Sequence, residues 1–504
     1  MSGRQYDKEI EVLSNAIVSS ENRSRESTGL LYTYALVSIG FGFMIGWHVV
    51  GLFAPASPLL SYGNITQALI LCTIGVGATA ISYLVCARFA SYFPSHCLWF
   101  TIAATLCSQA VVVCAFAHSF YDIPIAIDII AWILFGYSKA AICLGWSVYL
   151  SSLPSKHTGI AVGIGGVLGS VLYFFVFTAM PPSFSLVGTA LLPIASLAML
   201  LLLFKGAPDG KLLIGDDYNR PASALSNSAA LSNGAHGIVY GFITSYVCLI
   251  GPCAAAITGL SGIIGCFFVA VLMKLAPKMD FDNGIVQRIA QPLVVIGLLL
   301  MPMSDGPFLI FCGCLVTIAL AFVNIATWGT VAMENYEFHL QPILRFAARQ
   351  APLWVGFTVG AIITTLLSMA TYATSRPLGI IAVVLVAFVI VSFSCYSGND
   401  SVEKGYLEAI ITIDEVPDEP PVNHPSFDER CAEVCATYGL SPRESEVFNL
   451  LARGRNAKII QEELCVSAST AKTHIYRIYR KMGINSQQLL IDAVEGKRDP
   501  SALH

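Results

Sequence analysis

A basic segment near the end of this 504-residue sequence has the chemistry to bind a polyanion. Residues 440–498 carry ten Lys or Arg against six Asp or Glu, a net +4, whereas the whole chain carries −4 and the remainder therefore −8. Such a cationic segment on an otherwise acidic chain is typical of a DNA-binding module. The cations concentrate in residues 468–482, which contain no acidic residue, at Lys472, Arg477, Arg480 and Lys481.

A second set of polar side chains lies inside long apolar runs, where a charge costs about 2.5–3.5 kcal/mol on insertion scales. Lys139 is the clearest case, because it lies about sixteen residues from the outer end of its run and so near the bilayer centre. An ammonium group at this depth can bind an anionic ligand if it faces a cavity. The alternative is an internal partner such as a carbonyl oxygen. Asp128 is about 16 Å away along the same helix, so we do not expect that pair.

Four weaker candidates for ligand contact share the same setting. Each is a polar or amphipathic side chain within an apolar run, and each has packing inside the bundle as its alternative role. We predict that these residues join Lys139 in lining a ligand site: His48, Gln291, Asn324 and Trp328.

Short helices position the basic segment. Ser441, Pro442 and Glu444 have the spacing of a capping box that opens a helix. Ser467 is placed to cap a later helix, which Gly483 ends. Two helices joined by a short turn, the second of them basic, form a helix-turn-helix. Residues 427–437 predict one more helix before this domain.

The segment from 440 to 492 resembles the LuxR/NarL-type DNA-binding domain. The resemblance implies a four-helix domain whose third helix enters the major groove and whose fourth, with Leu489, Leu490 and Ala493, is the dimer contact. It also implies that Ser469, Thr470, Lys472, Thr473, Arg477 and Lys481 face DNA, and we add the neighbouring Arg480. The residues that carry the resemblance are 440–444 (LSPRE), Glu446, Val447, Gly454, 472–474 (KTH), Ile478, Lys481 and Gly483.

The remainder of the sequence indicates a polytopic membrane protein. Hydrophobic residues make up 55% of the chain and charged residues only 12%, which is unusual for a soluble protein. Runs of about 20 apolar residues are long enough to cross a bilayer. We predict twelve spans, near residues 29–53, 65–87, 95–117, 123–150, 158–180, 184–204, 237–252, 254–275, 285–304, 307–330, 350–373 and 377–396.

The distribution of Lys and Arg predicts the orientation. With the N-terminus inside, the outer loops carry only Arg376, a strong positive-inside pattern. Both termini are then cytoplasmic, and the protein is a multi-pass protein of the inner, or cytoplasmic, cell membrane. The inner loops carry Arg88, Lys156, Lys205, Lys211, Arg220, Lys274, Lys278, Arg288, Arg345 and Arg349.

Six spans, a long polar loop and six more spans resemble the layout of the major facilitator (MFS) family. The resemblance implies two pseudo-symmetric halves around a central cavity with a site near the midplane. The glycines of the fifth span, from Gly159 to Gly169, predict close helix approach. Residues 86–92 read CARFASY and lack the Gly…Asp-Arg…Gly-Arg pattern of the family's second loop. Transport is therefore less well supported than the architecture.

The predicted fold class is all-α, a polytopic transmembrane bundle of MFS-like 6+6 layout followed by a four-helix helix-turn-helix domain. No enzyme constellation, phosphate loop or metal cluster is present in the sequence, so we expect no catalytic residue, no metal and no cofactor. The predicted segments are 1–28, a cytoplasmic N-terminal segment; 29–204, the first half; 205–236, a cytoplasmic loop; 237–396, the second half; 397–425, an acidic linker; and 426–504, the DNA-binding domain.

These features predict a membrane-embedded one-component transcription regulator. Its expected partners are double-stranded DNA, bound as a homodimer, the lipid bilayer, and a small molecule of unknown identity. The alternative is an MFS-like transporter with an attached regulatory DNA-binding tail. A third possibility is a constitutive regulator that the bundle merely anchors.

Overall fold

The computed structural model divides into two compact units, Met1–Ile411 and Thr412–His504. The described residues are 32–56, 64–90, 97–153, 155–179, 181–205, 227–275, 283–303, 306–337, 340–369, 375–397, 427–453, 460–461, 464, 466–484, 487 and 489–490.

The described part of the first unit is built from helices. Asn64 caps α2 by accepting a hydrogen bond from Thr66 N, and a π-helical turn at Phe175–Ala179 ends α5. The helices are α1 (Tyr32–Ala56), α2 (Ile65–Arg88), α3 (Cys97–Ala117), α4 (Ile125–Leu150), α5 (Ser155–Phe174), α6 (Pro182–Lys205), α7 (Asn227–Ile250), α8 (Pro252–Leu275), α9 (Asn283–Leu300), α10 (Gly306–Glu337), α11 (Pro342–Met369) and α12 (Ser375–Ser397).

Ten helices within the described residues are long and apolar enough to cross a membrane, and the shorter Ile380–Ser392 segment of α12 is also apolar. Large apolar side chains such as Trp99, Leu106 and Phe267 are more than half exposed on the outside of the bundle. Such a surface is stable against lipid rather than water. The first unit is therefore a multi-pass membrane domain.

The helix pairs that join the two halves repeat when the helix numbers are changed by six, so that α1–α6 correspond to α7–α12. α2 packs on α11 and α5 packs on α8, and adding or subtracting six converts one pair into the other. Within the halves, α2 contacts α4 as α8 contacts α10. The predicted 6+6 layout is confirmed by this repetition.

Glycines allow the closest helix approaches in both halves. A Cβ at Gly169 of α5 would lie 2.6 Å from the Cβ of Ile45 in α1, and one at Gly356 of α11 would collide with the carbonyl oxygen of Gly234 in α7. The predicted packing role of the glycines in the fifth span is confirmed. The α1–α5 and α7–α11 contacts, which we call the glycine seams, again correspond under the shift of six.

The predicted boundary of the second half is wrong at its start. Residues 227–236, assigned to the loop 205–236, form the first turns of α7. Ala229, Ser232 and Ala235 are buried there, because small side chains at helical spacing let α7 pack closely. Residues 334–349, another polar stretch, are also mostly helical, because they form the end of α10 and the start of α11.

The second unit contains α13 (Phe427–Thr437), α14 (Pro442–Ala452) and α15 (Ala468–Met482). The predicted helix at 427–437 is confirmed, and its buried Cys431 and Val434 join the core of α14 and α15. Several predictions concern residues outside the described ones: the segment 1–28, most of the loop 205–236, nearly all of the linker 397–425, Gly454 and Ala493.

Candidate nucleic-acid interface and membrane clefts

Helix α15 is fixed at both ends by its own sequence. The Ser467 hydroxyl accepts a hydrogen bond from Thr470 N at 3.1 Å. Gly483 adopts φ +66° and donates its N–H to the carbonyl of Tyr479, which ends the helix. Both predicted caps are therefore confirmed, and they hold the basic helix in one register against the domain core.

One face of α15 is apolar and buried. Ala471, Ile478 and Met482 lie on this face and pack in the core with Val447 and Phe448 of α14. The opposite face and its flanks are exposed, so the side chains on them are free of the core. The exposed side chains that we predicted to face DNA are Ser469, Thr470, Lys472, Thr473, Arg477 and Arg480.

Lys481 differs from the other predicted DNA-facing residues. Its Nζ donates hydrogen bonds to Oε2 of Glu444 at 2.7 Å and to the carbonyl oxygen of Gly439 at 2.8 Å. Glu444 also accepts a hydrogen bond from Ser441 N at 2.8 Å, which completes the predicted capping box. Lys481 therefore connects α15 to the start of α14, and its ammonium is paired with the Glu444 carboxylate of the same domain.

These contacts stabilise the ionised form of a buried carboxylate. The side chain of Glu444 is 6% exposed. The hydrogen bond from Lys481, followed by that from the backbone of Ser441, lowers the pKa of Glu444 from 4.5 to about 2. The carboxylate is thus charged throughout the neutral pH range and holds two helix ends together.

Tyr476 is a residue of the exposed face that the sequence analysis missed. Its side chain is 65% exposed, and it lies between Thr473 and Arg480, one helical turn from each. A large aromatic side chain opposite a buried apolar stripe is the signal that could have found it. Its position on the exposed face leaves the ring free to contact a partner of α15.

The predicted dimer contact is only partly available. Leu490 is fully buried in the core of its own domain, so it is not free to pair with a second copy. Gln487 donates a hydrogen bond from Nε2 to the carbonyl oxygen of Leu451 at 2.9 Å and helps to hold this last segment against α14. The prediction is therefore wrong for Leu490, because an intramolecular core uses it first.

In the membrane domain, Lys139 is enclosed by aromatic rings. Its side chain is 1% exposed, and its Nζ lies 4.9 Å from the ring centre of Trp354 and 5.8 Å from that of Phe135. In the described part of the chain no hydrogen bond or ion pair is formed by this ammonium. The considered partner Asp128 instead pairs with His118, whose Nε2 lies 3.0 Å from Oδ1.

His48 and Asn324 line a narrow cleft of about 40 Å³, which we call the His48 cleft. Its walls come from both halves, and Ser170, Tyr240 and Thr317 are among them. Three buried polar atoms make no hydrogen bond to the described protein: Nδ1 of His48, Oγ1 of Thr317 and Oδ1 of Asn324. Buried polar atoms of this kind need a partner such as water or a ligand.

A second cleft of about 20 Å³, the Arg349 cleft, shares Tyr240 and Asn324 with the first. His236 donates from Nδ1 to the carbonyl oxygen of Ser232 at 2.8 Å, and its Nε2 has no partner in the described protein. Arg349 lies 3.4 Å from Glu334, which Arg345 also contacts at 2.7 Å. This cleft is therefore more polar than the His48 cleft.

The remaining predicted ligand residues lie elsewhere. Trp328 is buried and packs against Phe41 and Phe346, with ring centres 5.2 and 4.8 Å away. Gln291 is 9% exposed, and neither it nor Lys139 lines either of these two clefts. The structure thus brings His48 and Asn324 together in one cleft. Lys139 lies next to Trp354, and the indole of Trp354 also contacts the His48 ring, with ring centres 5.0 Å apart.

Comparison with known families supports the assignment of the second unit. Residues 439–494 match the family "Bacterial regulatory proteins, luxR family". Two proteins described as "Probable transcriptional regulatory protein NarL", from two strains of Mycobacterium tuberculosis, are 46% identical over 59 residues. Those residues are 12% of this chain and 26% of each relative, so the chain spans about a quarter of their length.

Comparison with solved structures concerns the first unit. The human organic anion transporter MFSD10 aligns with a TM-score of 0.51 and 10% identity, covering 72% of this chain and 98% of that one. The proton:xylose symporter XylE aligns with a TM-score of 0.50 and 12% identity, covering 73% and 95%. At these identities the similarity establishes the fold alone.

Proposed function

We propose that this chain, in which a luxR-family DNA-binding domain follows a membrane domain of the major facilitator fold, is a membrane-embedded one-component transcription regulator. The observation that carries the proposal is the presence of both modules in one polypeptide. A DNA-binding protein that is also an integral membrane protein can transmit a signal from the membrane to a promoter without a second protein.

DNA binding is proposed to occur through the exposed face of α15 in the major groove. The exposed Lys472, Arg477 and Arg480 are proposed to contact phosphates. The exposed Ser469, Thr470, Thr473 and Tyr476 are proposed to contact bases or sugars. Lys481 is left out of this set because its ammonium is bonded to Glu444. We further propose that two copies bind two half-sites, with the partly buried Leu489 near the contact.

Both termini are proposed to lie in the cytoplasm, so that the domain can reach DNA. The positive-inside distribution of Lys and Arg supports this orientation and a location in the inner cell membrane. The linker 397–425, acidic and rich in proline in its second half, is proposed to tether the domain to the bundle.

Sensing is proposed to occur in the His48 cleft, whose walls come from both halves. A small molecule that binds one arrangement of the halves better than another shifts the population towards it. The unpartnered polar atoms of His48, Asn324 and Thr317 support a ligand that is partly polar. Lys139, Gln291 and Trp328 remain predicted ligand residues of the bundle.

A transporter with a regulatory DNA-binding tail is the second candidate, and the major facilitator fold is the observation that favours it. The absence of the family's second-loop pattern from residues 86–92 favours the sensor. Uptake into vesicles containing the purified chain separates the two candidates. Net flux of a compound that binds would favour the transporter, and binding without flux would favour the sensor.

The proposal is tested by mapping the DNA that the full-length chain occupies in cells. We expect discrete occupied sites for the wild type and loss of occupancy for the variant with both Lys472→Ala and Arg477→Ala, with both proteins present equally in the membrane fraction. A wild type without any occupied site would overturn the proposal. Occupancy that no compound changes would instead indicate a constitutive regulator anchored by the bundle.

A further inference from the structure

Lys139 is the most unusual buried group in the described membrane domain. Its ammonium is enclosed by Phe135 and Trp354 at the distances given above. Other buried charged groups in the described bundle have polar partners, since Asp128 contacts His118 and Arg345 pairs with Glu334. An uncompensated buried charge costs several kcal/mol, and an anion in contact with it removes much of that cost. The group is therefore poised to receive an anion.

The covering ring gives Lys139 a route to the His48 cleft. The Trp354 indole contacts both the ammonium of Lys139 and the ring of His48, and His48 lines the cleft. The unpartnered Nδ1 of His48 is a second, independent polar atom, on a side chain 7% exposed and next to the same indole. Displacement of one indole therefore connects the buried ammonium with the cleft.

Lys139 and Trp354 also belong to opposite halves of the bundle. Lys139 is in α4 and His48 in α1, whereas Trp354 is in α11. When a ligand group replaces the indole next to Lys139, the contact between Lys139 and Trp354 is lost. A contact between the two halves is then replaced by a contact with the ligand. Binding at this point therefore changes the stability of the arrangement in which Lys139 and Trp354 are in contact, which is the coupling that a sensor requires.

We propose that the membrane domain binds a small organic anion, whose anionic group contacts Lys139 in place of the Trp354 indole while the rest of the molecule occupies the His48 cleft. This inference rests on the proposed sensing function and specifies its ligand class. The apolar walls of the cleft, such as Phe53 and Ile45, suit an anion with a hydrocarbon or aromatic body.

The test is equilibrium binding to the full-length chain in lipid nanodiscs, with acetate, butyrate and benzoate as probes and the corresponding amides as neutral controls. We expect a carboxylate to bind and its amide to bind at least about tenfold more weakly, because hydrogen bonds to charged groups contribute about 1.5–3 kcal/mol. Equal binding of a carboxylate and its amide would overturn the proposal, as would failure of all three carboxylates to bind.

Two substitutions should act in opposite directions. Lys139→Gln is expected to weaken carboxylate binding about tenfold or more, and Lys139→Arg, which keeps the charge, should retain it. Trp354→Leu removes the competing ring and should tighten binding by up to about thirtyfold, since an indole over a desolvated ammonium contributes about 2 kcal/mol. The matched control is Trp99→Leu, which replaces a lipid-exposed tryptophan and should leave affinity unchanged.

A purely structural role for Lys139 predicts another pattern. Lys139→Gln and Trp354→Leu would then both weaken binding, or both leave it unchanged, and either result would overturn the proposal. Each variant is first checked for wild-type helix content and a single size-exclusion peak. Because the assay contains no DNA, its failure would leave the proposed DNA-binding function to be judged by occupancy in cells.

Discussion

The two units of this protein each bury a charged side chain, and they treat it differently. In the DNA-binding domain, the ionised Glu444 receives hydrogen bonds from Lys481 and from the backbone of Ser441. In the membrane domain, Lys139 is more deeply buried, and its ammonium lies over the rings of Phe135 and Trp354. The first charge joins two helices and completes a fold. The second lacks an ionic partner among the described residues, which indicates a role beyond stability.

The comparison is tested most strongly by removing the bonded charge. Glu444→Gln should destabilise the DNA-binding domain by about 2 kcal/mol, because Lys481 and the capping box both lose a charged acceptor. Equilibrium unfolding of the domain in urea measures this change. The matched control Glu446→Gln, which breaks the exposed pair with Arg443, should cost less than about 0.5 kcal/mol. Equal effects of both substitutions would contradict a structural role for Glu444.

Acid should weaken the same domain in a defined pH range. Because the folded-state pKa of Glu444, about 2, lies below its ordinary value of 4.5, its interactions stabilise the domain fully above pH 4.5. This stabilisation, about 2 kcal/mol after allowance for the exposed Lys481, is lost as pH falls from about 4.5 towards about 2. Urea unfolding at stepped pH measures it, and Glu444→Gln should flatten that part of the profile. An equally steep profile in the variant would assign the acid sensitivity to other carboxylates.

Substitution of Lys472 should mainly change DNA binding, whereas substitution of Lys481 should mainly change the stability of the domain. Lys472→Ala is expected to weaken DNA binding several-fold and to reduce the slope of log affinity against log salt by about one, as for a lost phosphate contact. Lys481→Ala should chiefly lower the stability of the domain and leave that slope nearly unchanged. Salt titrations of binding measure both. The same loss of slope in both variants would return Lys481 to the DNA-contacting set.

The unbonded charge should respond to substitution in the opposite sense to Glu444. Lys139→Met replaces a buried ammonium by an apolar side chain of similar length. The free energy of unfolding of the bundle should therefore stay the same or rise by up to about 1 kcal/mol, and its melting temperature should not fall. Thermal unfolding of the full-length chain in nanodiscs measures this effect. A clear loss of stability would show that Lys139 has a structural partner and would break the comparison.

Local features of the DNA-binding domain could be predicted from the sequence, whereas distant partners could not. Ser441, Ser467 and Gly483 act on backbone groups within four residues of themselves, so their spacing was sufficient. The pairing of Lys481 with Glu444 joins residues 37 apart and depends on how α14 crosses α15. The burial of Leu490 in the domain core has the same cause, because an apolar stripe does not specify its partner.

The same distinction holds in the membrane domain. Depth along a helix could be calculated for Lys139, but the rings around it come from its own helix and from α11, more than 200 residues later. The first turns of α7 were missed because their Ser, Asn and Ala residues have the composition of a loop. They become helical because small side chains fit closely against α11, a tertiary effect.

The glycine seams have a mechanical consequence. At Gly356 the backbone of α11 lies directly against the backbone of α7, and at Gly169 the backbone of α5 lies against Ile45 of α1. A side chain added at either glycine would therefore push two helices of the same half apart. Substitution there should disturb the interior of one half before it disturbs the contact between the halves.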